Sequence, residues 1–167
     1  MNNFELLQTI STDIFPNEIF VANENFTIDI TSDAKIKISY LGENFTKNFL
    51  LGEGKIEKIN PTNKNKHTVC SVCLKNLVAL TDQEIIAELG GEERVEMTLS
   101  EVFCILKENE SFLLKVKNFS NIFYVRDKNL NLRSVSIRFM DGGWNVGSPS
   151  FRNDRWATGN NFFVPNN

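Results

Sequence analysis

One histidine and three cysteines are the residues of this sequence whose types and spacing fit a metal site. His67, Cys70 and Cys73 fall close together, and Cys104 is the remaining thiol. Imidazole nitrogen and thiolate sulfur are the ligands that zinc prefers, so these four residues form a candidate zinc or thiol-dependent site. A second CxxC motif or a histidine pair is missing, and in a strand Cys70 and Cys73 would point to opposite faces. We therefore predict no bound cofactor, with zinc as the alternative.

Arginines and tryptophans near the C-terminus form the second group with possible binding chemistry. Guanidinium groups and flat aromatic rings together can bind phosphates, nucleic-acid bases or acidic protein surfaces. The alternative interpretation is that both indoles lie in the core and the arginines lie on the solvent-exposed face of a sheet. The candidate binding residues are Arg126, Arg133, Arg138, Trp144, Arg152, Arg155 and Trp156.

The net charge of −3 conceals an uneven distribution along the chain. Residues 81–110 hold nine acidic and two basic side chains, whereas residues 111–167 hold eight basic and three acidic ones. The total argues against a dedicated, strongly basic nucleic-acid-binding domain. The asymmetry leaves two interpretations open: the basic segment binds an external partner, or it docks on the acidic segment of the same chain.

Few residues are equipped for catalysis. Nucleophilic catalysis requires a base beside the nucleophile, and His67 is the only histidine. The glycine-rich phosphate-binding motifs GxxxxGKS/T and GxGxxG are both missing from the sequence. We predict no catalytic residue, which favours a non-enzymatic protein.

Size and composition are typical of a globular protein, with 167 residues of which 41% are hydrophobic. No segment approaches the roughly 18 consecutive apolar residues that cross a bilayer, and the first residues lack the pattern of a secretion signal. An odd number of cysteines fits a reducing compartment. We expect a soluble cytoplasmic protein with no membrane partner.

The apolar pattern predicts a β-rich, antiparallel N-terminal lobe over residues 1–78. Helical spacing before Pro16 predicts a short leading helix, because proline cannot continue one. Alternation then predicts two strands that form a hairpin around residues 31–33. A short strand is expected at residues 49–51, and the apolar residues 69–80 predict a buried strand.

The second lobe, over residues 79–167, begins with two predicted helix starts. Thr81 with Glu84, and Thr98 with Glu101, have the capping-box pattern, in which each side chain bonds the other residue's backbone amide. Two short helices should therefore pack on a C-terminal antiparallel meander, which gives an α+β fold. The meander strands are predicted at residues 122–126, 133–139 and 144–147, followed by a last short strand at 162–164.

Three stretches resemble a family of uncharacterised bacterial proteins: residues 26–45, residues 85–106, and NIFYVRD with its trailing GWNVG, RW and FF elements. The resemblance covers nearly the whole chain. It implies a recurring two-part architecture and carries no activity, cofactor or partner. The chain departs from the family pattern at residues 64–77, where the CxxC motif lies.

These observations favour a non-enzymatic binding module whose Arg/Trp-rich C-terminal surface contacts an acidic protein surface or single-stranded nucleic acid. The first alternative is a zinc- or thiol-dependent protein centred on the His/Cys group. A further alternative is a structural component of a larger assembly. The sequence gives no basis for an oligomeric state.

Overall fold

The structure is a computed structural model of the whole chain, and it describes residues 20–29, 38–49, 66–74, 79–108, 110–116, 118–149 and 155–165. The predicted leading helix, the hairpin turn at residues 31–33 and Arg152 lie outside these ranges. No helix in the described ranges is both long and apolar enough to cross a membrane.

Most of the described strands join one sheet. Its order is β1-β3-β10-β6-β7-β8-β2, with β5 beside β6, and most neighbouring pairs are antiparallel. The parallel pairs are β10 with β6, β5 with β6 and β2 with β8. A second, two-stranded sheet pairs β4 with β9. The strands are β1 (Phe20–Asp29), β2 (Ile38–Leu41), β3 (Lys66–Leu74), β4 (Leu80–Thr81), β5 (Glu96–Met97), β6 (Asn121–Arg126), β7 (Leu132–Met140), β8 (Gly143–Gly147), β9 (Arg155–Trp156) and β10 (Asn161–Pro165).

Helices cover both faces of this sheet. Four α-helices are described, together with a 3₁₀ turn at Glu110–Phe112. Side chains of α1 and α4 pack on one face, which we call the front face, and those of α2 and α3 pack on the other, the back face. The helices are α1 (Glu43–Phe49), α2 (Asp82–Glu88), α3 (Glu92–Val95) and α4 (Leu99–Glu108).

Strand β6 shows why two cores form. Its residues are almost all buried, and successive side chains of a strand point to opposite faces. Phe123 and Val125 therefore join the front core, and Ile122 and Tyr124 join the back core. A strand that is apolar on both faces needs cover on both, and the helices supply it.

The local predictions in the second lobe are confirmed. Thr81 and Glu84 form the complete capping box at the start of α2. At the next predicted start, the Thr98 amide donates to Glu101 at 2.6 Å and the Glu101 amide donates to the Thr98 hydroxyl at 3.2 Å. Strands β6, β7 and β8 form the predicted antiparallel meander. The fold is α+β, with a large, mostly antiparallel sheet.

Two predictions for the N-terminal segment are wrong. Strands β1 and β2 do not form a hairpin, because they lie at opposite ends of the sheet order. Phe49 ends helix α1 and is not part of a strand. The predicted buried strand at residues 69–80 is confirmed as β3 up to Leu74, and residues 75–78 lie outside the described ranges.

The sheet includes strands from both sides of residue 78. Strand β10 lies between β3 and β6 and pairs with both. The division of the chain into lobes 1–78 and 79–167 stays a prediction, and the two segments share this sheet.

Candidate functional site

Two of the predicted arginines form ion pairs with the acidic segment 81–110. Arg126, at the end of β6, bonds Glu92 and Glu96, each at 3.0 Å. The hydrogen bond to Glu92 is the main reason why the pKa of Arg126 is raised. Arg155 bonds Glu84 at 3.3 Å and the Ala79 carbonyl at 3.0 Å. These contacts support the interpretation that the basic segment docks on the acidic one.

Arg133 pairs with Asp127, whose side chain is completely buried in the turn between β6 and β7. One oxygen of Asp127 accepts from the amides of Asn129 and Asn131, and the other accepts from Arg133. Burial alone would raise the pKa of Asp127, but the hydrogen bonds from Arg133 and the two amides lower it below the ordinary aspartate value. Arg133 therefore acts as an internal counter-ion.

The two tryptophans lie in different cores. Trp144 belongs to the front core, and its indole N–H donates to Glu110 at 3.1 Å. Trp156 packs against the back core, and its indole N–H donates to Asp82 at 2.7 Å. The two tryptophans therefore do not share a surface, because the sheet separates their indoles.

Asp82 is the centre of a polar cluster that the sequence analysis missed. Its carboxylate accepts from Trp156, from the Tyr124 hydroxyl at 2.9 Å and from the Ser134 hydroxyl at 3.0 Å. Burial, and then the negative charge of Asp82, raise the pKa of Tyr124 well above the ordinary value, so its hydroxyl stays protonated and donates. The cluster fixes the first turn of α2 to the sheet, which is a structural role.

Arg138 differs from the other three predicted arginines that the structure describes. Its Nε and Nη2 atoms donate to the Ser120 hydroxyl at 3.3 and 3.2 Å. Within the described ranges it forms no ion pair, although its side chain is half-buried. A guanidinium group carries five N–H donors, so Arg138 keeps donors available for an anion.

Arg138 lies in a row of side chains that crosses three strands on the back face. Arg138 pairs with Asn145 of β8, and Asn145 pairs with Tyr40 of β2. Leu41 and Val146, the next residues along, pack on the front core, so Tyr40 and Asn145 are directed to the back. Tyr40 is 60% exposed. We call Tyr40, Asn145 and Arg138 the Arg138 row.

Sequence reasoning found Arg138 but not its two neighbours in the row. The predicted hairpin places the strand that contains Tyr40 beside β1 instead of β8, and Asn145 has no signal beyond its place in a predicted strand. The alternation of serines and Arg138 opposite the apolar residues Val135 and Ile137 was the available signal for a polar back face.

The candidate zinc ligands are only partly described. Strand β3 is continuous through Cys70 and Cys73, which are three residues apart and so occupy strand positions of opposite parity. Cys73 is half-buried in β3, and Cys104 is buried in α4. The described residues include no group of three or more metal-ligating side chains, and the side chains of His67 and Cys70 lie outside them. The zinc alternative stays a prediction.

The fold and site thus define an α+β protein with a helix-covered sheet and a polar row on its back face. No family model matches the chain, and neither a curated protein nor a solved structure shows significant similarity to it. The resemblance to uncharacterised bacterial proteins therefore stays a prediction.

Proposed function

We propose that this protein is a non-enzymatic binding module whose Arg138 row binds an acidic segment of a partner protein. The observation that carries the proposal is the half-buried residue Arg138, whose guanidinium bonds only a neutral hydroxyl in the described ranges. A partly desolvated cation is stabilised by an anion that approaches its remaining donors. Arginine is especially suited to this task, because its planar fork can bond both oxygens of a carboxylate.

The dimensions of the row suit a short extended peptide. Neighbouring strands lie about 4.8 Å apart, so the row from Tyr40 to Arg138 spans about 10 Å. Three residues of extended chain cover that distance. Such a peptide would place an aspartate or glutamate at Arg138, a backbone amide group at Asn145 and an apolar side chain on the exposed ring of Tyr40.

Charge favours an acidic protein over a nucleic acid as the ligand. Tight binding to a nucleic-acid strand needs several cations that neutralise successive phosphates. The Arg138 row supplies one, and the chain as a whole carries 21 acidic and 18 basic side chains. The cysteine count fits a reducing compartment, so we propose that binding takes place in the cytoplasm.

The test compares Arg138→Gln with the matched control Arg94→Gln. Both changes remove one positive charge, and Arg94 is exposed on α3. The probes are a fluorescein-labelled oligoglutamate peptide with interspersed leucines and a labelled oligothymidylate, each measured by anisotropy at low and physiological salt.

We expect the peptide to bind the unaltered protein and to bind Arg138→Gln about tenfold or more weakly, because a charge-assisted bond is lost. Arg94→Gln should bind within about twofold of the unaltered protein, since an exposed charge contributes little. Equal affinity of the two variants, or no peptide binding at all, would contradict the proposal. Binding of oligothymidylate alone would identify a nucleic-acid ligand instead.

A further inference from the structure

A second cluster, at the front core, surrounds an ammonium group. The Lys115 Nζ atom lies 2.9 Å from a Glu110 oxygen, 5.3 Å from the centre of the Phe139 ring and 5.9 Å from the centre of the Trp144 ring. The two rings are edge-to-face, with centroids 5.0 Å apart and planes at 72°. One carboxylate and two aromatic rings therefore contact the same cation.

The two aromatic rings of this cluster are held in place by contacts that do not involve Lys115. Trp144 is only 6% exposed, and its indole N–H donates to the same Glu110 oxygen that accepts from Lys115. Phe139 and Trp144 are cross-strand partners in β7 and β8, so the sheet register sets their mutual position. A rigid pair of rings beside a carboxylate that accepts from the Trp144 indole is a preorganised cation site, because aromatic faces and carboxylates both attract positive charge.

Lys115 is held less firmly than the rings of Phe139 and Trp144. It lies in the irregular segment between the 3₁₀ turn and β6, and half of its side chain is exposed. The Glu110 side chain is also 42% exposed, so their ion pair is weakened by solvent. An ammonium group from outside the chain can therefore compete with Lys115 for these contacts.

We propose that Glu110, Phe139 and Trp144 form a binding site for the primary ammonium group of a partner's lysine side chain, and that Lys115 occupies it in the unbound protein. The chemistry is opposite to that of the Arg138 row, and the two sites lie on different faces of the sheet. A partner that carries both an acidic segment and a lysine could bind both sites. The two proposals rest on different residues and are tested separately.

The test uses n-butylammonium, which has the charge and length of a lysine side chain, and n-butanol as its neutral counterpart. The readout is the indole N–H signal of Trp144 in ¹H–¹⁵N spectra of full-length Lys115→Ala. This N–H donates to Glu110, so it reports on a cation that arrives there. The matched control is Lys128→Ala, which removes an exposed lysine at the turn between β6 and β7.

We expect a saturable shift of the Trp144 signal in Lys115→Ala with n-butylammonium and none with n-butanol. The apparent Kd should be about tenfold lower than in the unaltered protein or in Lys128→Ala, because the internal competitor has been removed. Adding Glu110→Gln to Lys115→Ala should weaken the binding again.

Three results of these titrations would overturn the proposal, and a fourth would come from tetramethylammonium. The three are no saturable shift in a folded Lys115→Ala, an equal response to n-butanol, or unchanged affinity after Glu110→Gln. Tetramethylammonium separates two modes of recognition: the site requires N–H donors if n-butylammonium binds more tightly, and equal or tighter binding of tetramethylammonium would contradict a site for a primary ammonium group. Circular dichroism of each variant checks that the fold is retained.

Discussion

Asp127 shows how a single buried carboxylate shapes the turn between β6 and β7. Three N–H donors converge on it, two from the turn's own backbone and one from Arg133. These donors bond the charged form, so the folded protein keeps the pKa of Asp127 below its value in the unfolded chain. The stabilisation is present above the unfolded aspartate pKa of about 3.9 and is lost as the pH falls through the lower folded pKa.

Asp127→Asn should therefore reduce stability most near neutral pH. We expect a loss of about 1 to 3 kcal/mol at pH 7, because the charge-assisted bond to Arg133 is removed. The difference from the unaltered protein should begin to shrink below about pH 4, where Asp127 of the unfolded chain is protonated, and should vanish below the lower folded pKa, where the bond itself is lost. Urea unfolding across this pH range measures it. Asp141→Asn makes the same chemical change at an exposed position and should cost less than about 0.5 kcal/mol. A pH-independent difference for Asp127→Asn would contradict the argument.

Sequence reasoning at this scale identified residue types but not their partners. The acidic and basic segments left open whether arginines pair internally, as Arg126 and Arg155 do, or bind an external partner. These segments could not indicate that Arg138 bonds no carboxylate of the described residues, because its neighbours Asn145 and Tyr40 come from other strands. The cluster around Asp82 was missed for the same reason, since Tyr124 and Trp156 are distant from it in sequence.

At the scale of elements, the turn before β10 depends on one glycine. Gly159 has φ +107°, a conformation that side-chain-bearing residues rarely adopt. A Cβ atom at this position would also overlap the ring of Phe119. Gly91, which precedes α3, has a similar φ of +100° but open space around the same position. Substitution of Gly91 therefore tests backbone strain alone, and substitution of Gly159 tests backbone strain together with steric overlap.

Gly91→Ala should destabilise the protein by about 1 to 3 kcal/mol through backbone strain alone, because φ +100° with ψ 172° is a conformation adopted almost only by glycine. Gly159→Ala should cost about 1 to 3 kcal/mol more, because the Phe119 ring must move. In a Phe119→Ala background the additional loss should disappear. Equal losses for the two glycine variants in urea unfolding would show that the overlap with Phe119 is relieved at no cost. An additional loss for Gly159→Ala that persists without the Phe119 ring would show that the overlap is not its cause.

Helix starts were predictable because each capping box involves residues three positions apart. The meander was predictable because each of its strands pairs with the next one along the chain. The hairpin prediction failed because the partners of β1 and β2, which are β3 and β8, come from later in the chain. Alternation of apolar residues indicates a strand but does not specify its neighbour.

On the scale of the whole molecule, β10 joins the two halves of the sheet. It pairs antiparallel with β3 and parallel with β6, and its Phe162, Phe163 and Val164 are buried in the two cores. The Phe163 ring stacks on Phe123 of β6 at 4.7 Å. Neither half of the chain can bury this strand alone.

A fragment of residues 79–167 should therefore not unfold cooperatively. It would lack β3, which leaves one edge of β10 unpaired and removes part of both cores. We expect a broad, non-cooperative urea transition by circular dichroism and recovery of a cooperative one when residues 1–78 are co-expressed. A sharp transition of the isolated fragment would support two independent lobes.

The central position of β10 also determines when the sheet can be completed during protein synthesis. When the ribosome has made β3, that strand can pair with β1, but its other neighbour does not yet exist. Translation at about 5 to 20 residues per second leaves several seconds before the chain reaches Pro165. During that interval the nascent polypeptide carries an open strand edge that invites pairing with other chains. This edge of β3 stays open until translation has passed Pro165.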